Sequence, residues 1–257
     1  MATDPTPWIS ALRDSHQRLR SVSSDLSSGA LRSTSYATEW SIADVLSHLG
    51  SQAEIFQLFL KAGLSDEAAP GREQFQPIWD SWNARTPEAQ ARDAIRGDAE
   101  LLTRLEQTGA EDQRRFHLSL FGRDLDWAGL ARMRLSEHAI HTWDIAVALD
   151  SKALVGSSAV NLLIDTVPEL AARTGKAGTK VLRLGISTSD PERHFHLEVS
   201  DTVLLRGSES GSGAVALTLP AEALVRLVYG RLDSGHTPPA KAGGVDLDEL
   251  RSLFPGF

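Results

Sequence analysis

The segment Arg134-Leu135-Ser136-Glu137-His138-Ala139-Ile140-His141-Thr142-Trp143-Asp144 decides how the chain is read. Each helical residue advances by about 100°. Glu137 and His141, four apart, therefore share a face, and Arg134 and Asp144 fall on the same stripe. Leu130, Met133, Ile140 and Ala148 share or flank that stripe. Mixing apolar residues with Arg, Glu, His and Asp on one inward face is expensive unless the charges find partners or a metal ion. The segment predicts a long helix, from about Leu125 to Leu149, that turns a polar site toward the interior of a helical bundle.

The preceding sequence supplies the other helices of such a bundle. Trp8, Leu12, Leu19, Val22 and Leu26 recur at helical spacing in a segment opened by Pro7. The Ser-rich run from Ser27 to Ser35 reads as a loop. Ser41, three residues before Asp44, gives a capping-box pattern and starts a second helix, whose apolar side holds Ile42, Val45, Leu46, Leu49, Ile55, Phe56 and Phe59. The polar stretch Gly63 to Gln76, with Pro70 and Gly71, reads as a loop or lid. Thr86-Pro87 opens a third long helix, with proline in its first turn, that runs to about Gln107. Gly109 to Asp126 reads as another loop. Four long helices imply an up-down or crossover four-helix bundle.

After Asp150 the pattern changes. A helix is predicted over Ser157 to Arg173 and a glycine-rich connector over Gly175 to Thr179. Strands follow over Val181 to Ser187, His194 to Val199, Thr202 to Arg206 and Ala214 to Leu219. Pro220 opens a helix ending at Gly230, and Leu247 to Leu253 is a short final helix. The expected fold is mainly α followed by α+β, with domains 1–152 and 153–257.

Composition narrows the chemistry. The net charge of -8, from 26 basic and 34 acidic residues, argues against nucleic acid as a partner, since phosphate contacts need clustered Lys and Arg. The chain has no cysteine. That excludes a disulfide scaffold, leaves any zinc site to His, Asp and Glu, and means any thiol chemistry must use a thiol from outside the chain. No apolar run approaches the roughly 20 residues that span a bilayer, and Met1 to Arg13 lacks a basic stretch followed by an apolar run. The expectation is a soluble cytoplasmic protein, monomeric or homodimeric, without a membrane partner.

His48 lies one turn past Asp44, beside Val45 and Leu49, and points roughly inward. One His from the second helix and a Glu/His pair from the fourth give three ligands and leave a fourth position open, the form of a catalytic zinc site. Spacing alone also allows hydrogen-bonded core histidines without a metal. His138 competes with Glu137 as a ligand, although it is turned further round the helix, toward Leu135 and Thr142.

Taken in order, Trp40…Asp44…His48-Leu49 and Arg134…Glu137…His141-Thr142-Trp143-Asp144 resemble the mycothiol-dependent maleylpyruvate isomerase family of the DinB-like metalloenzyme superfamily. Pro220…Leu224…Gly230-Arg231 and the terminal Leu253-Phe254-Pro255-Gly256-Phe257 are similar to its small α+β domain, which is sterol-carrier-protein-like, so the resemblance spans nearly the whole chain. It implies that His48, Glu137 and His141 bind Zn2+ or another divalent ion, since mixed N/O ligands tolerate several. It also implies a thiol cosubstrate, mycothiol, the small thiol of actinobacteria. Arg231 corresponds to a family arginine that approaches the active site; its other reading is a helix-end Arg meeting the macrodipole. Arg85 and Arg123, in or near loops, are candidates for binding an anionic substrate, against a reading as surface charge. Asp144 and Asp44 are candidates for groups behind the ligands, Asp144 orienting His141. The function implied is isomerisation or S-conjugation of a small electrophile by the thiol. Two alternatives stand beside it: a zinc hydrolase with Asp44 as base, and a noncatalytic protein holding an apolar ligand in its C-terminal domain.

Overall fold

The computed structural model describes residues 4–37, 39–178, 181–208 and 215–256. Thr179, Ala214 and Phe257, which end or begin expected segments, lie outside them. The chain divides into two compact units, Met1–Ala159 and Val160–Phe257.

The first unit is a helical bundle. Its long helices are α1 (Thr6–Ser23), α3 (Ile42–Ser65), α5 (Pro87–Gln107) and α7 (Trp127–Leu149), with a short α2 (Ser28–Leu31) between the first two. Helix α1 packs on α5 and α7, and α3 packs on the same two. Consecutive long helices α1 and α3 therefore occupy diagonal corners, which selects the crossover arrangement of the two that spacing allows. Leu19, Leu31, Ile42, Val45, Leu46, Leu49, Ala94 and Ile145 form one buried core between them.

The starts of these helices are written in the sequence. Ser41 Oγ accepts from Asp44 N while Asp44 reaches back to Ser41 N, closing the capping box of α3. Thr86 Oγ1 accepts from Ala89 N at the start of α5, and Asp126 Oδ1 from Gly129 N at the start of α7.

Three expected loops are ordered elements instead. Within Ser27 to Ser35, Ser27 caps α2 and Leu31 is buried. The expected lid from Gly63 to Gln76 is mostly helix: α3 continues through Ser65 and α4 (Arg72–Asn83) follows. Phe75 and Trp82, seven apart, fall on one face of α4 and are buried. A Cβ on Gly50 would stand 2.2 Å from the Trp82 ring, so the indole packs directly against the backbone of α3. Gly109 to Asp126 contains α6 (Ala110–Arg115) and a hairpin of β1 (Leu118–Leu120) and β2 (Arg123–Leu125) that buries Leu118, Leu120 and Leu125.

The second unit is α+β. The helix expected over Ser157 to Arg173 is broken into α8 (Ser157–Leu163), a 3₁₀ turn (Ile164–Thr166) and α9 (Val167–Thr174). Pro168 has no N–H to continue the ladder. Five strands, β3 (Leu182–Ser189), β4 (Arg193–Val199), β5 (Val203–Ser208), β6 (Val215–Pro220) and β7 (Lys241–Ala242), form a mixed sheet in the order β5-β4-β3-β6-β7. Strand β6 runs parallel to β3, and the other pairs are antiparallel. Phe195, Leu197 and Val199 of β4 alternate onto the buried face, as the period of a strand requires. Helix α10 (Ala221–Val228) follows Pro220, and α11 (Leu247–Leu253) ends the unit. Gly230 has φ +70°, and a Cβ there would lie 2.4 Å from the backbone of Gly256. Only glycine fits this contact between two segments of the unit. Among the described residues, no helix is long and apolar enough to cross a membrane.

Candidate metal centre

The site is built on α3 and α7. The capping box fixes where α3 begins, and so fixes the height of His48 on it. The segment before the helix folds back: Ser35 N and Oγ both donate to Trp40 O at 2.9 Å, and Ile42 N donates to Ser33 O at 3.0 Å. Tyr36 N donates to Asp144 O at 3.1 Å, tying this segment to α7. The result sets the Trp40 ring 5.1 Å from the His48 ring and 6.1 Å from the His141 ring. Trp40 remains 38% exposed, so the indole is a wall of the site that still faces solvent.

His48, Glu137 and His141 converge as the sequence predicts. One ligand atom from each lies within 4.8 Å of the others. His48 Nε2 is 3.5 Å and His141 Nε2 3.8 Å from Glu137 Oε2. Ligands about 2.1 Å from a tetrahedral ion stand about 3.4 Å apart, so the donor set fits a divalent cation with small adjustments. The side chains are 24%, 36% and 13% exposed, respectively, which leaves an approach from solvent.

Metal binding requires neutral imidazole and ionised carboxylate, and His48 and Glu137 are shifted toward those states. Burial pushes the His48 pKa down, with the positive charges of His141 and Arg134 adding to it against the pull of Glu137. Burial alone would raise Glu137. The hydrogen bond with His48, the charges of both histidines and the bond from Gln52 outweigh it and bring the carboxyl down to about 2.

The remaining candidates are placed as follows. Asp144 is buried, and its Oδ2 lies 2.9 Å from His141 Nδ1. A proton on Nδ1 is thereby held by the carboxylate, and Nε2 is left with its lone pair toward Glu137 and His48. Asp44 is exposed, and its Oδ2 accepts from Ser41 N at 2.9 Å and Ser41 Oγ at 2.6 Å; its carboxylate closes the helix cap. Arg85 stacks 3.7 Å over the Trp82 ring and pairs with Asp93 at 3.4 Å. Arg123 lies on β2. Arg231 belongs to the second unit, just past α10, and its Nη1 donates to Tyr229 O at 2.8 Å. The buried pair Arg226–Glu222, 2.7 Å apart, holds this turn: Arg226 Nη1 donates to Arg231 O and His236 O.

Sequence reasoning missed two groups of the first unit. Gln52, one turn beyond His48, donates from Nε2 to Glu137 Oε2 at 2.9 Å and lies 3.1 Å from His48 Nε2. Asp98 of α5 takes the charge of Arg134, with Nη2 to Oδ1 at 2.8 Å. Asp98 Oδ2 also lies 2.8 Å from His16 Nδ1 and 2.9 Å from His138 Nε2, the latter close enough for attraction but poorly aligned as a hydrogen bond. His138 Nδ1 meets Ser15 Oγ at 2.7 Å. His138 thus belongs to a buried cluster separate from the ligands. The spacing Gln52–His48 was available as a signal, since a residue four along a helix shares the face.

Comparison with known proteins places both units in one family. Residues 12–146 match the family profile described as the mycothiol maleylpyruvate isomerase N-terminal domain, and residues 157–251 match the MDMPI C-terminal domain. The fold is similar to the crystal structure of the mycothiol-dependent maleylpyruvate isomerase, with a TM-score of 0.67 and 13% identity over 95% of this chain and 95% of that chain. A histidine-to-alanine mutant of that enzyme matches with the same TM-score and coverage at 12% identity. At such identity the likeness speaks for the fold alone. No curated protein matches the chain.

Proposed function

The chain belongs to the mycothiol maleylpyruvate isomerase family, and on that premise we propose that it is a zinc-dependent enzyme using a small thiol, mycothiol, to isomerise or S-conjugate a small electrophile. The observation that carries the reading is the convergence of His48, Glu137 and His141 within 4.8 Å on two helices, with Asp144 behind one ligand and solvent in front. Three protein ligands are the number that leaves a coordination position free for chemistry.

His48, Glu137 and His141 would hold a divalent ion, whose charge would favour the thiolate of an incoming thiol at neutral pH, where a free thiol of pKa about 8.5 is only a few per cent ionised. The chain's own residues do the rest. Asp144 meets the ring of His141 at Nδ1, and Gln52 donates to the carboxylate of Glu137. Trp40 lines the solvent side with an aromatic face against which a substrate can lie. The thiolate sulfur then adds to one carbon of a cis double bond, rotation follows, and expulsion of the same thiolate returns the trans isomer. In S-conjugation the sulfur keeps its new bond to carbon and the leaving group, or a proton taken up at the neighbouring carbon, completes the balance. The absence of cysteine suits a nucleophile that arrives as a cosubstrate. A hydrolase would use a base beside the triad, and Asp44, the residue the sequence offers for that task, has its carboxylate in the helix cap.

Metal content of the purified protein, measured by mass spectrometry, is expected at about one zinc per chain. The His48→Ala/His141→Ala double variant is expected to lose it while keeping its helical circular dichroism. Stoichiometric zinc in the double variant overturns the ligand set. Conversion of a cis-configured electrophile, or thioether formation, is expected with mycothiol and absent in a thiol-free control; equal turnover without thiol overturns the thiol mechanism.

A further inference from the structure

Arg134, Asp98 and His138 are almost completely buried in the bundle. Removing such charges from water is costly, and a well-packed apolar cluster would often be as stable or more so. Their hydrogen bonds show what the charges accomplish. Arg134 is pinned by Nη2, which donates to Asp98 Oδ1 at 2.8 Å and to Leu49 O at 3.1 Å. The face of Phe56 lies 5.6 Å from its guanidinium carbon. The remaining Nη1 donates to Gln52 Oε1 at 3.3 Å. Gln52 in turn donates from Nε2 to the ligand Glu137. One continuous path, Asp98 to Arg134 to Gln52 to Glu137, runs from the buried interior of the bundle to the metal centre.

The path fixes the direction of an amide. A guanidinium only donates and a carboxylate only accepts. With Oε1 toward Arg134 and Nε2 toward Glu137, both ends of Gln52 are satisfied. A flipped amide would set donor against donor at Arg134 and oxygen against oxygen at Glu137. Nε2 also lies 3.1 Å from His48 Nε2; that nitrogen has one lone pair, which a bound ion would take, so the contact that carries the argument is the one to the Glu137 carboxylate.

We propose that Gln52 is a positioning residue for the metal ligands, oriented by Arg134 through the Asp98 pair, and that it acts on metal affinity by holding Glu137 in its coordinating geometry. This rests on the ligand set proposed above. Groups behind metal ligands typically contribute about 10–100-fold in affinity.

Zinc affinity is to be measured by competition with a chromophoric chelator, alongside the thermal midpoint of the metal-free protein, for wild type, Gln52→Leu, Arg134→Lys and the double variant. Arg134→Lys keeps a charge for Asp98 and removes the planar fork that reaches Gln52. Gln52→Leu is expected to weaken zinc binding by about 10–100-fold with the metal-free midpoint nearly unchanged. Arg134→Lys is expected to weaken it less, and to have no further effect once Gln52 is Leu, because its influence passes through the amide. Wild-type or tighter affinity in Gln52→Leu overturns the proposal. So does additivity of the two substitutions, or an affinity loss matched by an equal fall in metal-free stability. His48→Ala separates the two readings. If it keeps zinc, the ligand set fails and this proposal with it; if it loses zinc while Gln52→Leu binds as wild type, only the positioning role fails.

Discussion

Glu137 and His138 are neighbours in the chain yet belong to two different polar clusters. Glu137 joins His48 and His141 in a group 13–36% exposed, with one ligand atom from each within 4.8 Å of the others. His138 joins Asp98, Arg134, His16 and Ser15 in a largely buried group, which Arg134 links to the outward one through Gln52. One step of about 100° around α7 separates them. In the outward cluster the Glu137 carboxylate and the Nε2 atoms of His48 and His141 converge with no Arg or Lys among them, a donor set that could hold a metal ion. In the inward cluster the cation of Arg134 meets the anion of Asp98, which is the chemistry of a structural pair. Composition does not distinguish them, since both hold His and a carboxylate. The balance of donors and acceptors does.

The largest expected effect breaks the inward cluster. Asp98→Asn leaves the Arg134 guanidinium buried without its counter-charge, and the cost is expected at about 3–5 kcal/mol, read as a shift of the urea unfolding midpoint. A change below about 1 kcal/mol would place the pair among those that contribute little. Acid should act through the same cluster. Its charged and titratable members are His16 from α1, Asp98 from α5, and Arg134 and His138 from α7. Burial pushes His138 down, so below about pH 6.5 the unfolded chain binds a proton that the native ring refuses. Burial alone would raise Asp98, but His138, Arg134 and His16 hold it well below the usual carboxylate range. Below about pH 3.9 the unfolded chain therefore takes a second proton. Both contributions are lost as pH falls, so stability is expected to decline from about pH 6.5 and more steeply below 4. Stability that is flat over this range in wild type, or equally steep in Asp98→Asn, contradicts the assignment.

Asp144→Asn sharpens the comparison from the outward side. The variant keeps the shape behind His141 but replaces the charge on which Nδ1 leans. Zinc affinity is expected to fall by about 10–100-fold while the inward cluster and its acid response stay as in wild type. Unchanged affinity would make Asp144 a packing residue.

The sequence makes the outward cluster legible and leaves the inward one hidden for a physical reason. Glu137 and His141 lie four apart on one helix, and His48 sits on a helix whose start Ser41 and Asp44 announce. Asp98 meets Arg134 from another helix, and no periodicity within either helix announces a partner at that distance. Gln52 carries no charge whose burial would have demanded an explanation. Among the elements, Thr86-Pro87 marks α5 to the residue. Helix α4 is disguised, because Pro70 and Gly71 suggest a loop and its buried face rests on only Phe75 and Trp82. In the second unit, Pro168 divides what helical spacing presents as one segment, because spacing records which face is apolar and not whether each N–H exists.

The smallest expected effect concerns Asp44, which sequence position alone makes a candidate behind His48. Its carboxylate accepts from the backbone and hydroxyl of Ser41 and is exposed. A cap of this kind contributes about 0.5–2 kcal/mol. Asp44→Ala is therefore expected to lower stability by about 1 kcal/mol and to leave zinc affinity and the dependence on thiol as they are. The two measurements pull apart the roles. A cap acts on the population of folded α3 and so on every function of the bundle equally, whereas a base or a ligand support acts on the metal centre in protein that is already folded. Loss of zinc affinity or turnover at full occupancy of the native state would move Asp44 from the end of the helix into the site, and would restore hydrolysis as a rival to thiol chemistry.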